Sequence, residues 1–156
     1  MNVKIGASAA IIAQAQTIRF QVFTQEQGIG EGLDKDGLDE QAIHALVFDG
    51  KIAVATARLC LIDSTHGVLA RVAVLKHYRK QGLAGRVVDA LMRYARQHGV
   101  DTIDIHAHHY LREYYQKHGF SFIKNVEVVA GHRLIEMRYQ RTPSQINDGL
   151  TLASET

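Results

Sequence analysis

The chain has a single cysteine, Cys60, a single proline, Pro143, and almost no excess of charge of either sign. Each shortage excludes something. One cysteine cannot form an intrachain disulfide, and it suits a reducing compartment. The net charge is +2, from 18 basic and 16 acidic side chains, which is too small for broad electrostatic capture of nucleic acid. No apolar run approaches the roughly 18 residues that a membrane span needs. The opening Met1-Asn2-Val3-Lys4-Ile5 lacks the basic region and apolar stretch of a secretion signal. These absences predict a soluble, cytoplasmic protein with neither a membrane nor a nucleic-acid partner.

What is present suits one globular unit. At 156 residues, 46% hydrophobic and 22% charged, the chain is long enough to bury about two-thirds of its unfolded surface in a single core. We read one domain over residues 1–140 and a loose polar tail over 141–156, which holds Pro143.

The apolar pattern sets the expected elements. Residues 2–6 read as a short strand. Ser8 is a suitable N-cap for a helix in which Ile11, Ala15, Ile18 and Val22 share one face as far as about Gln27. Residues 28–40 hold four glycines and five acids and read as a mobile acidic loop with room for one helical turn. Strands around 45–48 and 52–61 flank Asp49-Gly50, a dipeptide suited to a tight hairpin. A third strand over 68–75 completes an antiparallel run. Gly82 to His98 is the clearest helix, with Leu83, Val87, Leu91 and Ala95 on one stripe and Gly99 ending it. Beyond it the pattern predicts a strand over 102–106, a short helix over 109–118, and strands over 120–124 and 133–139.

The chemistry gathers at the start of the long helix. A helix N-terminus offers unpaired N–H groups and a partial positive charge, which together bind phosphate. Gly82, Ala84 and Gly85 allow close backbone approach, and Arg79, Lys80 and Arg86 add positive charge. By itself the segment reads equally as a capped helix with surface arginines. It fits neither the Walker loop nor the full dinucleotide fingerprint. Of the nine histidines, His106, His108 and His109 cluster at a strand end, but no cysteine or acid stands at a recognised ligand spacing nearby. No metal is expected. Cys60 reads as a small buried hydrophobe in a strand.

Arg79-Lys80-Gln81-Gly82-Leu83-Ala84 resembles motif A of the GNAT superfamily of N-acetyltransferases, Arg/Gln-x-x-Gly-x-Gly/Ala, set between an apolar strand and an amphipathic helix. Tyr114-Tyr115-Gln116-Lys117-His118-Gly119-Phe120 resembles motif B. Arg19, Val22-Phe23, Glu26-Gln27, Asp39 and His44 resemble the small bacterial ElaA-like branch. The resemblance implies an α/β fold: a mixed, mostly antiparallel sheet of six to seven strands flanked by about four helices.

It also implies acetyl-CoA as cosubstrate and a small primary amine as acceptor, joined by direct attack in a ternary complex. Val72 and Val74 would hydrogen-bond the pantetheine arm, and the amides of Gln81, Gly82, Leu83, Ala84 and Gly85 the pyrophosphate. His108 stands where many members carry an Asn or Gln that touches that arm. Tyr115 matches the general-acid tyrosine. The glutamate that many protein-modifying members carry early on the strand before motif A is Val68 here. The base is therefore open among Glu26, Asp39, His44 and His106. Arg71 could hold an acceptor carboxylate or pair with an acid of the sheet. The acidic loop could attract a cationic amine. Alternatives are an acyl-CoA-binding sensor without turnover, suggested by Val68, and an acyl-homoserine-lactone synthase, suggested by Arg19-Phe20-Gln21-Val22-Phe23. A homodimer is common among similar proteins.

Overall fold

The computed structural model describes residues 1–142; most of the tail expected over 141–156 lies outside them. Within the described residues, seven strands form one sheet: β1 (Asn2–Gly6), β2 (Ile43–Asp49), β3 (Ile52–Leu61), β4 (His66–Val74), β5 (Thr102–His108), β6 (Ser121–Val129) and β7 (His132–Gln140). Their order is β1-β2-β3-β4-β5-β7-β6. Only β4 and β5 pair in parallel, because the connection between them carries the long helix. All other neighbours are antiparallel.

Four helices accompany the sheet among the described residues: α1 (Ala9–Arg19), α2 (Glu31–Asp34), α3 (Leu83–Gln97) and α4 (Arg112–Lys117). The stripe of α3 packs on one face, where Leu83, Val87 and Leu91 meet Ala57, Leu59, Leu69 and Ile105 in the larger core. Tyr115 and Phe120 close the same core at the α4 end. Ile18, Val22 and Phe23 form a smaller core with Leu46, Phe48 and Ala73 on the opposite face. Alternation along the strands therefore feeds two layers, one on each side of the sheet.

Two expectations need correction. The first helix does not run evenly to Gln27. Its α-helical part ends at Arg19, and Phe20–Glu26 continues as a widened π-helical turn. Gln27 N donates to Val22 O at 3.2 Å and Ile29 N to Phe23 O at 2.8 Å. The apolar period carries on through both parts, so it does not register the change. Residues 28–40 are not a loosely solvated acidic loop. Asp34 and Asp39 are buried, and arginines from three underlying elements hold the segment. Arg19 pairs with Asp34 and Asp39, Arg58 with Asp36 and Asp39, and Arg71 with Asp34 and Asp36. Three aspartates meet three arginines, so these three carboxylates are paired within the fold rather than left to solvent.

Candidate active site

The site begins where two strands part. β4 and β5 pair from His66–Thr102 to Leu69–Ile105, and no further. Beyond that point β5 continues along β7, while β4 continues along β3. A bulge helps to turn β4 away. Arg71 and Val72 together oppose the single residue Ala57 between the Thr56–Ala73 and Arg58–Ala70 pairs. Arg71 has φ +57°, unusual for a side chain of this size. Its ion pairs to Asp34 and Asp36 are the local compensation. The edge of β4 from Ala70 to Val74 thus faces a gap beside which an extended ligand could lie, with Val74 O already accepting from Arg79 Nε.

A short 3-10 turn, Lys76–Tyr78, leads from β4 toward α3. Lys80 (φ +65°) and Gly82 (φ +74°) are both left-handed, which brings the chain round sharply at the helix start. No side chain caps α3. Arg86 N donates to Gly82 O at 3.2 Å, so the amides of Leu83, Ala84 and Gly85 are the unpaired donors of the first turn. A Cβ at Gly85 would stand 2.8 Å from the Tyr114 hydroxyl, so any side chain here would require that ring to shift. The cations of the turn differ in use. Arg79 Nη2 donates to Glu26 Oε1 at 2.7 Å and its Nε to Val74 O at 3.1 Å. Arg86 Nη2 donates to Met1 O at 3.1 Å. Lys80 is exposed and has no partner among the described residues.

The gap opens into a cleft of about 790 Å³ that crosses the sheet, within the size range of small-molecule sites. Val72, Val74, Lys80, Gly82, Leu83, Ala84 and Gly85 line its α3 end. Tyr115 also lines it. This ring is 1% exposed, packs edge-on to Tyr114 and Phe120, and its hydroxyl has no partner among the described residues. Burial, with smaller contributions from Tyr114 and Tyr110, pushes that hydroxyl well above the usual tyrosine range. It stays a proton donor at every ordinary pH.

The other end lies on the α1 side. Phe23, Ile29 and Leu33 form an apolar wall, with Arg71, His106 and His108 beside them. His108 stacks on Tyr110 at 5.2 Å and meets His132 edge-on at 5.2 Å. Burial first, then His132 and His109, lowers its pKa, so the ring is neutral and can donate or accept. His106 Nε2 lies 3.0 Å from Glu136 Oε1.

Several expected residues stand elsewhere. Gln81 and Arg86 do not line the cleft. Glu26 is taken by Arg79. Asp39 and His44, candidate substrate-side groups, are 6% and 0% exposed and sit under the acidic segment, away from the cleft lining. Asp39 serves Arg19, Arg58 and Gln16, and His44 Nε2 donates to Asp39 O at 2.8 Å. Tyr110, Glu127 and His132 also line the cleft, and the sequence reading singles out none of them. His132 arrives only because β7 inserts between β5 and β6, and nothing local in the sequence marks that insertion.

Comparison with known proteins agrees with this geometry. Residues 12–141 match the family model for the acetyltransferase (GNAT) domain. The chain is 36% identical over 123 residues to the putative acetyltransferase BSU40680 of Bacillus subtilis (strain 168), covering 77% of this chain and 83% of that one. Escherichia coli ElaA superposes with TM-score 0.79 at 21% identity, over 89% of this chain and 99% of its own. A GNAT family acetyltransferase from Elizabethkingia anophelis, solved with acetyl-CoA bound, superposes with TM-score 0.66 at 14% identity, over 89% and 98% of the two chains. The chain belongs to the GNAT family of acetyltransferases.

Proposed function

We propose that the protein transfers an acetyl group from acetyl-CoA to a primary amine of a small molecule, by direct attack in a ternary complex. One observation carries this reading: the parting of β4 from β5 beside an uncapped α3 N-terminus, with Tyr115 in the same cleft. The free amides of Leu83, Ala84 and Gly85, with the Lys80 ammonium, suit a pyrophosphate. The edge of β4 around Val72 and Val74 suits an amide-bearing arm laid alongside it as an extra strand, and His108 can hydrogen-bond the same arm. Arg79 lines the same end of the cleft and braces the turn, with its Nε on Val74 O and one Nη on Glu26, which leaves the rest of its guanidinium for the anion.

The amine would enter from the α1 side. Its nitrogen attacks the thioester carbon, and collapse of the tetrahedral intermediate breaks the C–S bond. The sulfur keeps the electron pair and takes the Tyr115 proton. A thiol ionises near pH 8.5, so a donor at this point speeds departure without being indispensable. A free Cys60 fits a cytoplasmic setting. The test is to mix protein, acetyl-CoA and a panel of alkylamines, polyamines, amino acids and aminoglycosides, following thiol release and the acetylated product by mass spectrometry. At least one amine must gain about 42 mass units, the mass of an acetyl group less a proton, in step with thiol release. Tight acetyl-CoA binding with no product on any acceptor would favour a sensor instead.

A further inference from the structure

An alkylamine is mostly protonated at neutral pH, so transfer needs a group that removes a proton before attack. Val68, at the position where the resemblance places the glutamate of many protein-modifying members, cannot do it. Glu26 is paired to Arg79, and Asp39 and His44 are buried off the cleft. The cleft nonetheless holds an oriented histidine. In the β5–β7 register His106 faces Glu136, and their side chains meet at 3.0 Å. A carboxylate oxygen accepts only, so the ring proton sits on Nε2 and the lone pair on Nδ1. No described residue engages that Nδ1. The His106 side chain is 40% exposed and that of Glu136 is 17% exposed, so the ring reaches the cleft while its partner is largely sheltered.

Position relative to the sheet adds a second argument. Ile103, Ile105 and Ala107 point into the core beneath α3. Strand alternation therefore puts His106 on the opposite, α1 face. Tyr115 belongs to the α3 side. The two groups line one cleft from opposite faces of the split sheet, as a reaction needing a base on the incoming side and an acid on the leaving side requires.

Resting on the acetyltransferase reading above, we infer that the His106–Glu136 pair is the base that deprotonates the acceptor ammonium. His106 Nδ1 takes one N–H proton and leaves it to solvent, while Glu136 stabilises the imidazolium so formed. The freed lone pair makes the N–C bond, and the carbonyl π pair moves to oxygen. On collapse the sulfur takes the electron pair of the C–S bond together with the Tyr115 proton. The second ammonium proton is lost from the new amide nitrogen and restores Tyr115. The sum is one amide, one thiol and one proton released. The other two histidines of the site serve less well. His108 has no carboxylate, and burial disfavours its charged form. His132 Nε2 donates to Gln27 O at 3.0 Å, a neutral acceptor. The charged and titratable groups around His106 are Asp104 and His108 on its own strand, Glu136 and Arg138 on β7, Lys124 and Glu127 on β6, and the Arg71–Asp34 pair across the gap.

The test compares two acceptors in wild type, His106→Ala, His106→Gln and Glu136→Gln. One is the alkylamine turned over best in the panel; the other is hydroxylamine, which is already neutral and needs no deprotonation. For the alkylamine, the histidine variants should lose about 100-fold or more in kcat/KM, and the acid-side limb of the pH profile should vanish. Glu136→Gln should lose about 10-fold. Hydroxylamine transfer should fall less than about 5-fold, and acetyl-CoA affinity should hold. Equal losses on both acceptors would overturn the inference in favour of simple positioning, and an unchanged alkylamine profile would overturn it outright. A wild type that binds acetyl-CoA but acetylates nothing would fail the acetyltransferase reading itself, and this inference with it.

Discussion

Arg19 grips Asp39 with both ends of its guanidinium, at 2.8 Å and 2.9 Å, and both side chains are buried. The Nε of the same arginine donates to Asp34 at 3.0 and 3.1 Å. α1 is thereby bolted to the segment that roofs the α1 end of the cleft.

Removing one partner of such a pair strands a buried charge. Arg19→Met or Asp39→Asn should cost about 3–5 kcal/mol in urea unfolding. The exposed Lys35–Glu31 pair, with side chains 48% and 52% exposed, provides the contrast: Lys35→Ala should cost less than about 0.5 kcal/mol. If Arg19→Met proved as mild as Lys35→Ala, the network would be ornamental.

Acid should destabilise the fold in two stages. Burial lowers the His44 pKa, as it does that of His108. Below the unfolded imidazole value of about 6.5 the unfolded chain takes up protons that the folded one refuses, so stability falls as pH drops. The aspartates follow. Burial alone would raise the Asp39 carboxyl, but hydrogen bonds from Arg19 and Gln16 outweigh it and hold it well below the usual range. Asp36, through Arg58, and Asp104, through Arg138 and His66, are lowered in the same way against their burial. Their contribution is complete above the unfolded value of about 3.9 and is lost as pH falls through it toward the folded values. Unfolding free energy measured from pH 8 to pH 3 should show both slopes, and His44→Gln should flatten the first.

Tyr115→Phe should leave acetyl-CoA affinity intact and lower kcat about 10- to 100-fold. Because burial raises this hydroxyl, the wild type should show no Tyr115-linked loss of activity on the alkaline side up to about pH 10. Steady-state kinetics on both proteins checks this. Undiminished turnover would remove the general-acid role alone.

These predictions divide along what the sequence can disclose. The turn at Gly82, the α3 stripe and Tyr115 are local patterns, each contained within one or two elements, and are legible. The ion pairs are not. Asp34 and Asp39 find Arg19 across 15 and 20 residues, and Arg71 reaches the Asp34 carbonyl across 37. In the sequence the same aspartates sit among glycines and read as a solvated loop. The His106–Glu136 contact spans 30 residues and depends on β7 lying beside β5, a strand order that periodicity does not contain. Arg71 is ambiguous in the sequence, because its bulge and positive φ emerge only with the register of β3 against β4.

The most direct test returns to the turn before α3. Gly82 has φ +74°, and a side-chain carbon added there would meet nothing within 4 Å. A glutamate at this position therefore costs about 1–2 kcal/mol of strain while placing a carboxylate where the pyrophosphate is expected. Calorimetric titration of acetyl-CoA into wild type and Gly82→Glu, with circular dichroism confirming that both are folded, decides the matter. The account predicts saturable binding to wild type and a loss of at least about 100-fold in the folded variant. Equal affinity in the two proteins would contradict it.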